Sequence, residues 1–129
     1  MSITKIDPAK AKPVGNYSMG MMTDSPKILF ISGQVSNDKD GNLVGKGNIE
    51  AQADQVYKNL KDILEAAGVS FRSVISLTTF LTDQSFFQKV APIRAKYFQE
   101  PFPASTGIII SSLASKEYLI EVEAVAVLD

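Results

Sequence analysis

The segment NIEAQADQVYKNLKDILEAA, residues 48–67, sets the architecture of this chain. Apolar residues recur in it at steps of four and three, which predicts a helix with one apolar stripe. The stripe consists of Ile49, Ala53, Val56, Leu60, Ile63 and Ala67. Asn48 suits the N-cap, and Gly68 suits the left-handed residue that follows a helix C-terminus. A helix of this kind needs an apolar layer to pack on, and the flanking segments must supply it.

A second helix is predicted for residues 83–98, DQSFFQKVAPIRAKYF. Its apolar stripe consists of Phe86, Val90, Ile93 and Tyr97. Ser85 and Gln88 have the spacing of a capping box. Pro92 is a difficulty, because proline in a helix interior removes a hydrogen bond and costs about 3 kcal/mol. Either the helix kinks at Pro92, or a short turn ends and the main helix starts there.

Segments rich in apolar and β-branched residues are predicted as strands. They cover residues 27–36, 73–82, 105–113 and 117–128. Residues 17–22, YSMGMM, are predicted to form a hairpin with 27–36 through the turn TDSP. The order β, β, α, β, α, β, β indicates an α+β fold in which both helices pack on one face of a mixed sheet. No repeat or linker interrupts this order, so we expect residues 1–129 to form a single domain.

The predicted sheet has more apolar surface than two helices can cover. Residues 28–31 and 108–110 are apolar on consecutive positions, so both faces of those strands favour burial. Helices on one face leave the other face without cover, and the simplest cover is another copy of the chain. We therefore expect the protein to form an oligomer.

The composition excludes several kinds of chemistry. The 129-residue chain contains no cysteine and no histidine, which rules out disulfide scaffolds, Cys/His zinc sites, thiolate nucleophiles and serine–histidine triads. Proton transfer near neutral pH must then use a carboxylate, a tyrosine or a lysine. A net charge of −1, from 13 basic and 14 acidic residues, disfavours binding to a nucleic-acid backbone. We expect neither a metal nor a cofactor.

The first residues, MSITKIDPAK, lack the apolar core of a signal peptide. No apolar run approaches the length needed to span a membrane. The absence of cysteine is compatible with the cytosol. We therefore expect a cytoplasmic protein without membrane association.

Five segments together carry a resemblance that spans nearly the whole chain. They are PVGNYSMG, FISGQV, QADQVYKNLKDILEAAGVSFRSVISLTTFLTD, PFPAST and IEVEAVAV. In this order they resemble the Rid family, also called the YjgF or reactive-intermediate deaminase family. The resemblance implies a chorismate-mutase-like α+β subunit and a homotrimer with small-ligand clefts between subunits. It also implies hydrolysis of enamine or imine intermediates to 2-oxo acids and ammonia.

The chain departs from the family at two anchor positions. The family's deaminases hold the substrate carboxylate with an arginine directly after Phe-Pro-Ala, where this chain has Ser105, and the family's asparagine on the second helix falls on Ala91. A serine offers one neutral donor, so we expect affinity for an amino-acid-derived imine to fall about ten- to a hundredfold. Either the ligand lacks the usual carboxylate, or another cation replaces the arginine. Arg94 is the nearest candidate, although an exposed helix arginine is the simpler interpretation.

Other candidate residues match the family's cleft positions, namely Tyr17, Ser32, Gly33 and Glu121. Glu121 is the candidate general base that orients and deprotonates water, unless it is a solvated glutamate on an outer face. Tyr17 closes the cleft or stacks on a planar ligand, or it is a packed hairpin aromatic. Ser32 and Gly33 mark the close approach of a ligand, or a bulge without one. Thr106 supplies a hydroxyl or backbone donor to the cleft, or it is an ordinary strand residue.

Three functions follow from these observations. The first is a hydrolase of the deaminase type that acts on an imine, an enamine or a related small electrophile lacking the usual carboxylate. The second is a non-catalytic homotrimer that binds a metabolite or a partner protein, which the replacements at Ser105 and Ala91 favour. The third, an endoribonuclease or translation inhibitor, is an activity attached to some relatives. The lack of histidine and the acidic balance disfavour it here.

Overall fold

The computed structural model describes residues 3–129, which form two β-sheets and two α-helices. The strands are β1 (Ile3–Ile6), β2 (Gly20–Thr23), β3 (Lys27–Gln34), β4 (Val74–Leu81), β5 (Ala104–Ile109) and β6 (Ile120–Leu128). The helices are α1 (Ile49–Ala66) and α2 (Phe86–Arg94), and a short 3₁₀ turn at Phe71–Ser73 precedes β4. The four strands expected from apolar composition are present as β3 to β6.

The main sheet is mixed, as the element order predicted. Its strand order is β3–β6–β4–β5. β4 and β5 are parallel, whereas β6 runs antiparallel to both of its neighbours. α1 and α2 pack together on one face of this sheet, so the α+β prediction is confirmed. We call this side the covered face and the other side the open face.

Helix α1 is stabilised by residues at both of its ends and by its apolar stripe. The Asn48 side chain accepts a hydrogen bond from the Ala51 backbone N–H at 3.1 Å, which satisfies one of the free donors of the first turn. Gly68, just beyond the C-terminus, has φ +79°, a conformation that glycine adopts without steric cost. Val56 and Leu60 on the stripe are fully buried. The predicted helix, its cap and its apolar face are therefore confirmed.

Helix α2 begins at Phe86 and runs through Pro92 to Arg94 without a break. Pro92 is exposed, so water can reach the carbonyl that the missing N–H leaves without a helical donor. The predicted capping box is wrong, because Ser85 has helical backbone angles and makes no capping bond. Its N–H and hydroxyl both donate to Asp83 Oδ1 instead, at 2.8 and 2.7 Å.

The predicted hairpin between residues 17–22 and 27–36 is wrong. β2 pairs with β1 in a separate antiparallel ribbon. Ser18, just before β2, donates its backbone N–H to the Pro103 carbonyl at 3.1 Å and forms a bridge with Ala104 at the start of β5. The chain therefore approaches β2 from the β5 side of the main sheet, whereas β3 lies at the opposite edge.

The open face carries the uncovered apolar surface that the sequence predicted. Along β6, Ile120 and Val122 are buried on the covered face, while Glu123 on the other face is exposed. On β3, Phe30 is 76% exposed and Ile28 is 53% exposed. A soluble chain rarely leaves neighbouring large apolar side chains in water without a partner. This surface is therefore suited to contact with another chain.

Candidate functional site

The predicted site residues lie on opposite faces of the main sheet. Ser105 of β5 pairs with Leu77 of β4, which is buried on the covered face. Glu121 of β6 pairs with Phe80 of β4, which points the other way because side chains alternate along a strand. β4 separates β5 from β6, so these two strands lie roughly 10 Å apart. Within one chain, Ser105 and Glu121 cannot act on the same small molecule.

The residues around Ser105 form what we call the covered half-site. Its cavity has a volume of about 350 Å³ and lies between α1, α2, β5 and the loop before β2. The lining residues include Tyr17, Tyr57, Thr79, Phe87, Arg94 and Ser105. Ala91, at the position of the family's asparagine, lies on the same wall. The sequence-predicted Tyr17 and Ser105 are thus brought together.

Arg94 points back from α2 onto Ser105. Its Nη1 donates to Ser105 Oγ at 3.1 Å, and its Nη2 donates to the Asn16 carbonyl oxygen at 3.2 Å. The guanidinium also lies 5.6 Å from the centre of the Phe98 ring, within the range of a cation–π contact. Burial lowers the pKa of Arg94, although the nearby Tyr57 opposes this shift. The interpretation of Arg94 as an exposed helix arginine is therefore wrong.

The Arg94 guanidinium has no carboxylate partner in residues 3–129. The ion pairs in this part of the chain all involve lysines. A guanidinium carries five N–H donors, and Arg94 uses two of them. A partly buried cation without a counter-ion is an unfavourable arrangement unless a ligand or another chain completes it.

Two hydroxyls of the covered half-site also lack partners within the part of the chain that the structure describes. Tyr57 Oη and Thr79 Oγ1 are both buried without a hydrogen bond, a state that costs roughly 1–3 kcal/mol per group. Burial raises the pKa of Tyr57 to about 12. Sequence reasoning missed both residues. The available signals were a tyrosine beside the apolar stripe of α1 and a threonine between Leu77 and Leu81 on the covered face of β4.

Tyr17 is held in place by its own loop. Its hydroxyl accepts a hydrogen bond from the Val14 backbone N–H at 3.2 Å. The neighbouring Ser18 donates its hydroxyl to the Phe102 carbonyl and is fully buried. Tyr17 lines the cavity of the covered half-site and a second, adjoining cavity of about 330 Å³. Its ring therefore forms part of the wall between α2 and the β5 loop.

Gly33 and Glu121 form what we call the open half-site. A Cβ atom on Gly33 would lie only 2.0 Å from Glu121 Oε2 and 2.7 Å from its Cδ. The Glu121 side chain thus lies directly over the glycine, where any other residue would displace it. Gly33 also falls within a bulge, since the pairing with β6 shifts between Ile31 and Gln34. Glu121 is partly buried and forms no hydrogen bond or ion pair with the rest of residues 3–129.

The strand that carries Glu121 is anchored by a buried glutamine. Gln52 Oε1 accepts from the Leu119 backbone N–H at 2.9 Å, and Gln52 Nε2 donates to the carbonyls of Glu117 and Gly45 at 2.9 and 3.1 Å. Gln52 itself is fully buried. Because these bonds fix the segment just before β6, they also fix the position at which the strand that carries Glu121 begins.

Ser32 and Thr106 lie on the open face and are both exposed. Ser32 lines a shallow cavity of about 310 Å³ with Phe30, Thr78 and Glu123. Thr106 pairs with Thr78, so it points away from its neighbour Ser105. The structure therefore separates Thr106 from the covered half-site that the sequence placed it beside.

The described residues 3–129 contain no group of three or more acidic, cysteine or histidine side chains placed to hold a metal ion. No helix in this range is both long enough and apolar enough to cross a bilayer. Among residues 3–129, the main sheet thus has a carboxylate without a partner over a glycine on one face and a guanidinium without a counter-ion on the other.

Comparison with known proteins identifies similar chains across nearly the full length. The family model described as endoribonuclease L-PSP matches residues 8–128. A RutC family protein of Pyrococcus horikoshii is 42% identical over 115 residues, which are 89% of this chain and 89% of that protein. The human 2-iminobutanoate/2-iminopropanoate deaminase is 36% identical over 123 residues, which are 95% of this chain and 88% of that protein.

Solved structures show the same fold. A Rid family protein of unknown function from Yersinia pestis superimposes with a TM-score of 0.92 at 33% identity, covering 99% of this chain and 100% of that one. The family match includes both the covered and the open half-site, since residues 8–128 contain every candidate residue named above.

Proposed function

The chain belongs to the endoribonuclease L-PSP family, which includes the Rid and RutC proteins, and on this premise we propose that it hydrolyses small imines, and enamines through their imine tautomers, at the C=N bond. The reaction takes place at a cleft between two copies of the chain. The similar human protein is named for an imine deaminase activity, and this supports the reaction class. The substrate itself is argued from the residues of this chain.

The observation that carries the proposal is the position of the Glu121 carboxylate. It lies over Gly33, partly buried, and no group in residues 3–129 neutralises it or bonds to it. A carboxylate in this state can accept a proton from a water molecule without first breaking an internal contact. Gly33 allows the carboxylate this position, because a Cβ atom there would lie 2.0 Å from Glu121 Oε2.

In the proposed reaction Glu121 carries both protons of the water to the nitrogen, one after the other. Water attacks the imine carbon and a C–O bond forms while Glu121 takes one proton of the water; the electron pair of the C=N π bond moves to nitrogen, and Glu121 returns the proton to this nitrogen to give a neutral carbinolamine. Glu121 then takes the proton of the carbinolamine hydroxyl and delivers it to the nitrogen, so that the C=O bond forms as the C–N bond breaks. The products are a carbonyl compound and ammonia, and no cofactor or oxidant is consumed.

A cleft between copies is required because neither half-site is complete alone. The covered half-site has a cation and hydroxyls but no general base, and the open half-site has the base but no group to hold an anion. The exposed Phe30 and Ile28 on the open face give another copy an apolar surface to pack on. A cyclic trimer lets each copy present one half-site to each neighbour, so all clefts are equivalent.

The test is an imine-trapping assay. An amino-acid oxidase with catalase generates the imine, semicarbazide traps it, and the protein competes by hydrolysing it first. We expect the wild type to suppress semicarbazone formation and Glu121→Gln to lose about a hundredfold or more of kcat/KM. Glu123→Gln is the matched control, because Glu123 lies on the same face of β6 but is exposed. Equal rates for wild type and Glu121→Gln would remove the mechanism.

The same assay separates the alternatives. If the wild type does not accelerate imine hydrolysis but small ligands raise its melting temperature in thermal-shift screening, the protein is a binding trimer. Ser105 and Ala91, at positions where the family has polar anchors, are the observation that favours this second function. The ribonuclease activity in the family's description is not proposed, because the chain contains no histidine and has a net charge of −1.

A further inference from the structure

The covered half-site contains a positive charge that nothing in residues 3–129 neutralises. Arg94 is held from two sides, by Ser105 Oγ and by the Asn16 carbonyl, and its guanidinium plane approaches the Phe98 ring. These contacts fix the direction of the side chain, while its remaining N–H donors have no acceptor among residues 3–129. An arginine whose side chain is fixed in this way, and whose charge has no counter-ion, can form a bidentate contact with an anion.

The floor of the same cavity contains polar groups that have no hydrogen-bond partners among residues 3–129. The hydroxyls of Tyr57 and Thr79 are buried, and neither has a hydrogen-bond partner among the described residues. A buried hydroxyl without a hydrogen bond lowers the free energy of unfolding, so its presence needs an explanation. Their position beside Arg94 indicates that the cavity is built for a polar occupant, whose oxygens or accompanying water supply the missing partners.

Apolar side chains also line the cavity, next to Arg94 on the same helix. Phe87 and Val90 of α2 line it, and the Phe87 ring lies against Gly107, where an added Cβ would come within 2.7 Å of the ring. With a volume of about 350 Å³, the cavity is large enough for a small organic acid. A ligand that contacts both the guanidinium and these apolar side chains has an anionic group and a hydrocarbon group.

We infer that Arg94 is the carboxylate-binding residue of this protein and that Ser105 is its positioning residue. The substrates are then imines that carry a carboxylate and an apolar side chain. The guanidinium comes from α2, while the strand position after Phe-Pro-Ala holds the serine that orients it. Of the two alternatives from the sequence, we therefore favour a second cation in place of the missing arginine over a ligand without a carboxylate. The inference rests on the proposed function only for the imine group, because the anion site is argued from the cavity alone.

The test is calorimetric titration of the assembled protein with 4-methyl-2-oxopentanoate and with its uncharged methyl ester. We expect the wild type to bind the acid and Arg94→Gln to bind it roughly ten- to a hundredfold more weakly, since charge-assisted bonds are lost. Affinity for the ester should change little. Lys89→Gln is the matched control, because it removes an exposed positive charge from the same helix. Equal affinity of wild type and Arg94→Gln for the acid would overturn the inference.

Ser105 is tested as a positioning residue by rescue. Ser105→Ala should weaken binding of the acid several-fold without affecting the ester, and Ser105→Thr should restore it, because the hydroxyl that accepts from Arg94 returns. Weakening that the threonine does not repair would contradict the positioning role.

Failure of the anchor and failure of the proposed function are distinguishable. If the wild type binds the acid through Arg94 but hydrolyses no imine, the enzyme proposal fails and the anion site stands. If imine hydrolysis depends on Glu121 while Arg94→Gln binds and turns over like the wild type, the anchor fails and the function stands.

Discussion

The covered and open faces of the main sheet differ in how far a single chain completes them. On the covered face, Leu77, Ile120 and Val122 are buried by the two helices of the same chain. On the open face, Phe30 and Ile28 project large apolar side chains that nothing in residues 3–129 covers. The covered face therefore stabilises the fold of the single chain, whereas the open face is suited to contact with other copies.

The two half-sites also differ, because each contains a charged group that the other lacks. The covered half-site is a cavity whose cation has no carboxylate partner, and whose two buried hydroxyls have no hydrogen-bond partner, among residues 3–129. The open half-site is a partly buried carboxylate over Gly33 without a cation beside it among residues 3–129. Each supplies what the other lacks. A site divided between faces in this way ties catalysis to assembly, so loss of the oligomer and loss of activity should occur together.

The largest effect is expected from a charge on the open face. Phe30→Asp should convert the assembly into single chains and abolish imine hydrolysis. Each copy loses about 1.5–3 kcal/mol of apolar burial and must also desolvate a carboxylate. Sedimentation at micromolar concentration measures the mass. Val14→Asp is the control, because Val14 is an apolar loop residue that is 92% exposed. An unchanged mass for Phe30→Asp would show that the open face is not the interface.

A smaller effect is expected from filling the space under Glu121. In Gly33→Ala the new Cβ occupies the position of the Glu121 carboxylate and must push it aside. We expect kcat/KM to fall about ten- to a hundredfold, because misplacement by about 1 Å is enough to disturb proton transfer. The free energy of unfolding should change by less than about 1 kcal/mol, since the end of a glutamate side chain is flexible.

The control for this variant is Gly20→Ala in β2, where the nearest atom to an added Cβ is 3.6 Å away. Gly20→Ala should leave both activity and stability close to wild type. Full activity in Gly33→Ala would mean that the observed position of Glu121 is not the one used in catalysis.

The smallest effect is expected from removing an unsatisfied hydroxyl on the covered face. Tyr57→Phe should leave the free energy of unfolding unchanged or raise it by up to about 1 kcal/mol, because a buried group without a partner is lost. Tyr118→Phe is the contrast. The Tyr118 hydroxyl accepts from Asn37 at 2.8 Å, so its removal should cost about 0.5–1.5 kcal/mol. Urea unfolding measures both, and a clear loss in Tyr57→Phe would show that its hydroxyl is satisfied in solution.

Tyr57 also has a pH signature. Burial raises its pKa to about 12 in the folded chain, above the value of about 10 for an exposed tyrosine. An acid whose folded pKa is raised contributes stability below the unfolded pKa, and this contribution is lost as pH rises through the folded pKa. The wild type should therefore lose stability between about pH 10 and 12, and Tyr57→Phe should lose less over that range.

The fold was largely predictable because its main signals are local. Asn48, the stripe of α1 and Gly68 act within one segment, and consecutive apolar residues on β3 and β5 indicate two buried faces without any knowledge of the partner. The β1–β2 ribbon was not predictable, because ITKI is short and mostly exposed. The segment before β2 is also bound to the β5 region through Ser18 and Pro103, a contact between distant parts of the sequence.

The site was predictable as a set of residues but not as an arrangement. Strand alternation already places Ser105 and Thr106 on opposite faces, yet only the sheet order shows that Ser105 and Glu121 are separated by β4. The contact from Arg94 to Ser105 depends on α2 continuing through Pro92. A kink at that proline would have redirected the side chain, and the sequence left this alternative open.

The most direct measurement is complementation between two inactive variants. Glu121→Gln and Arg94→Gln are co-expressed with different tags, the mixed trimers are isolated, and imine hydrolysis is compared with that of each variant alone. If each cleft takes Arg94 from one copy and Glu121 from another, every mixed trimer has one intact cleft in three, so the isolated mixed trimers should regain about a third of wild-type activity. Mixed trimers that form but remain as inactive as their parents would contradict a site built from two copies.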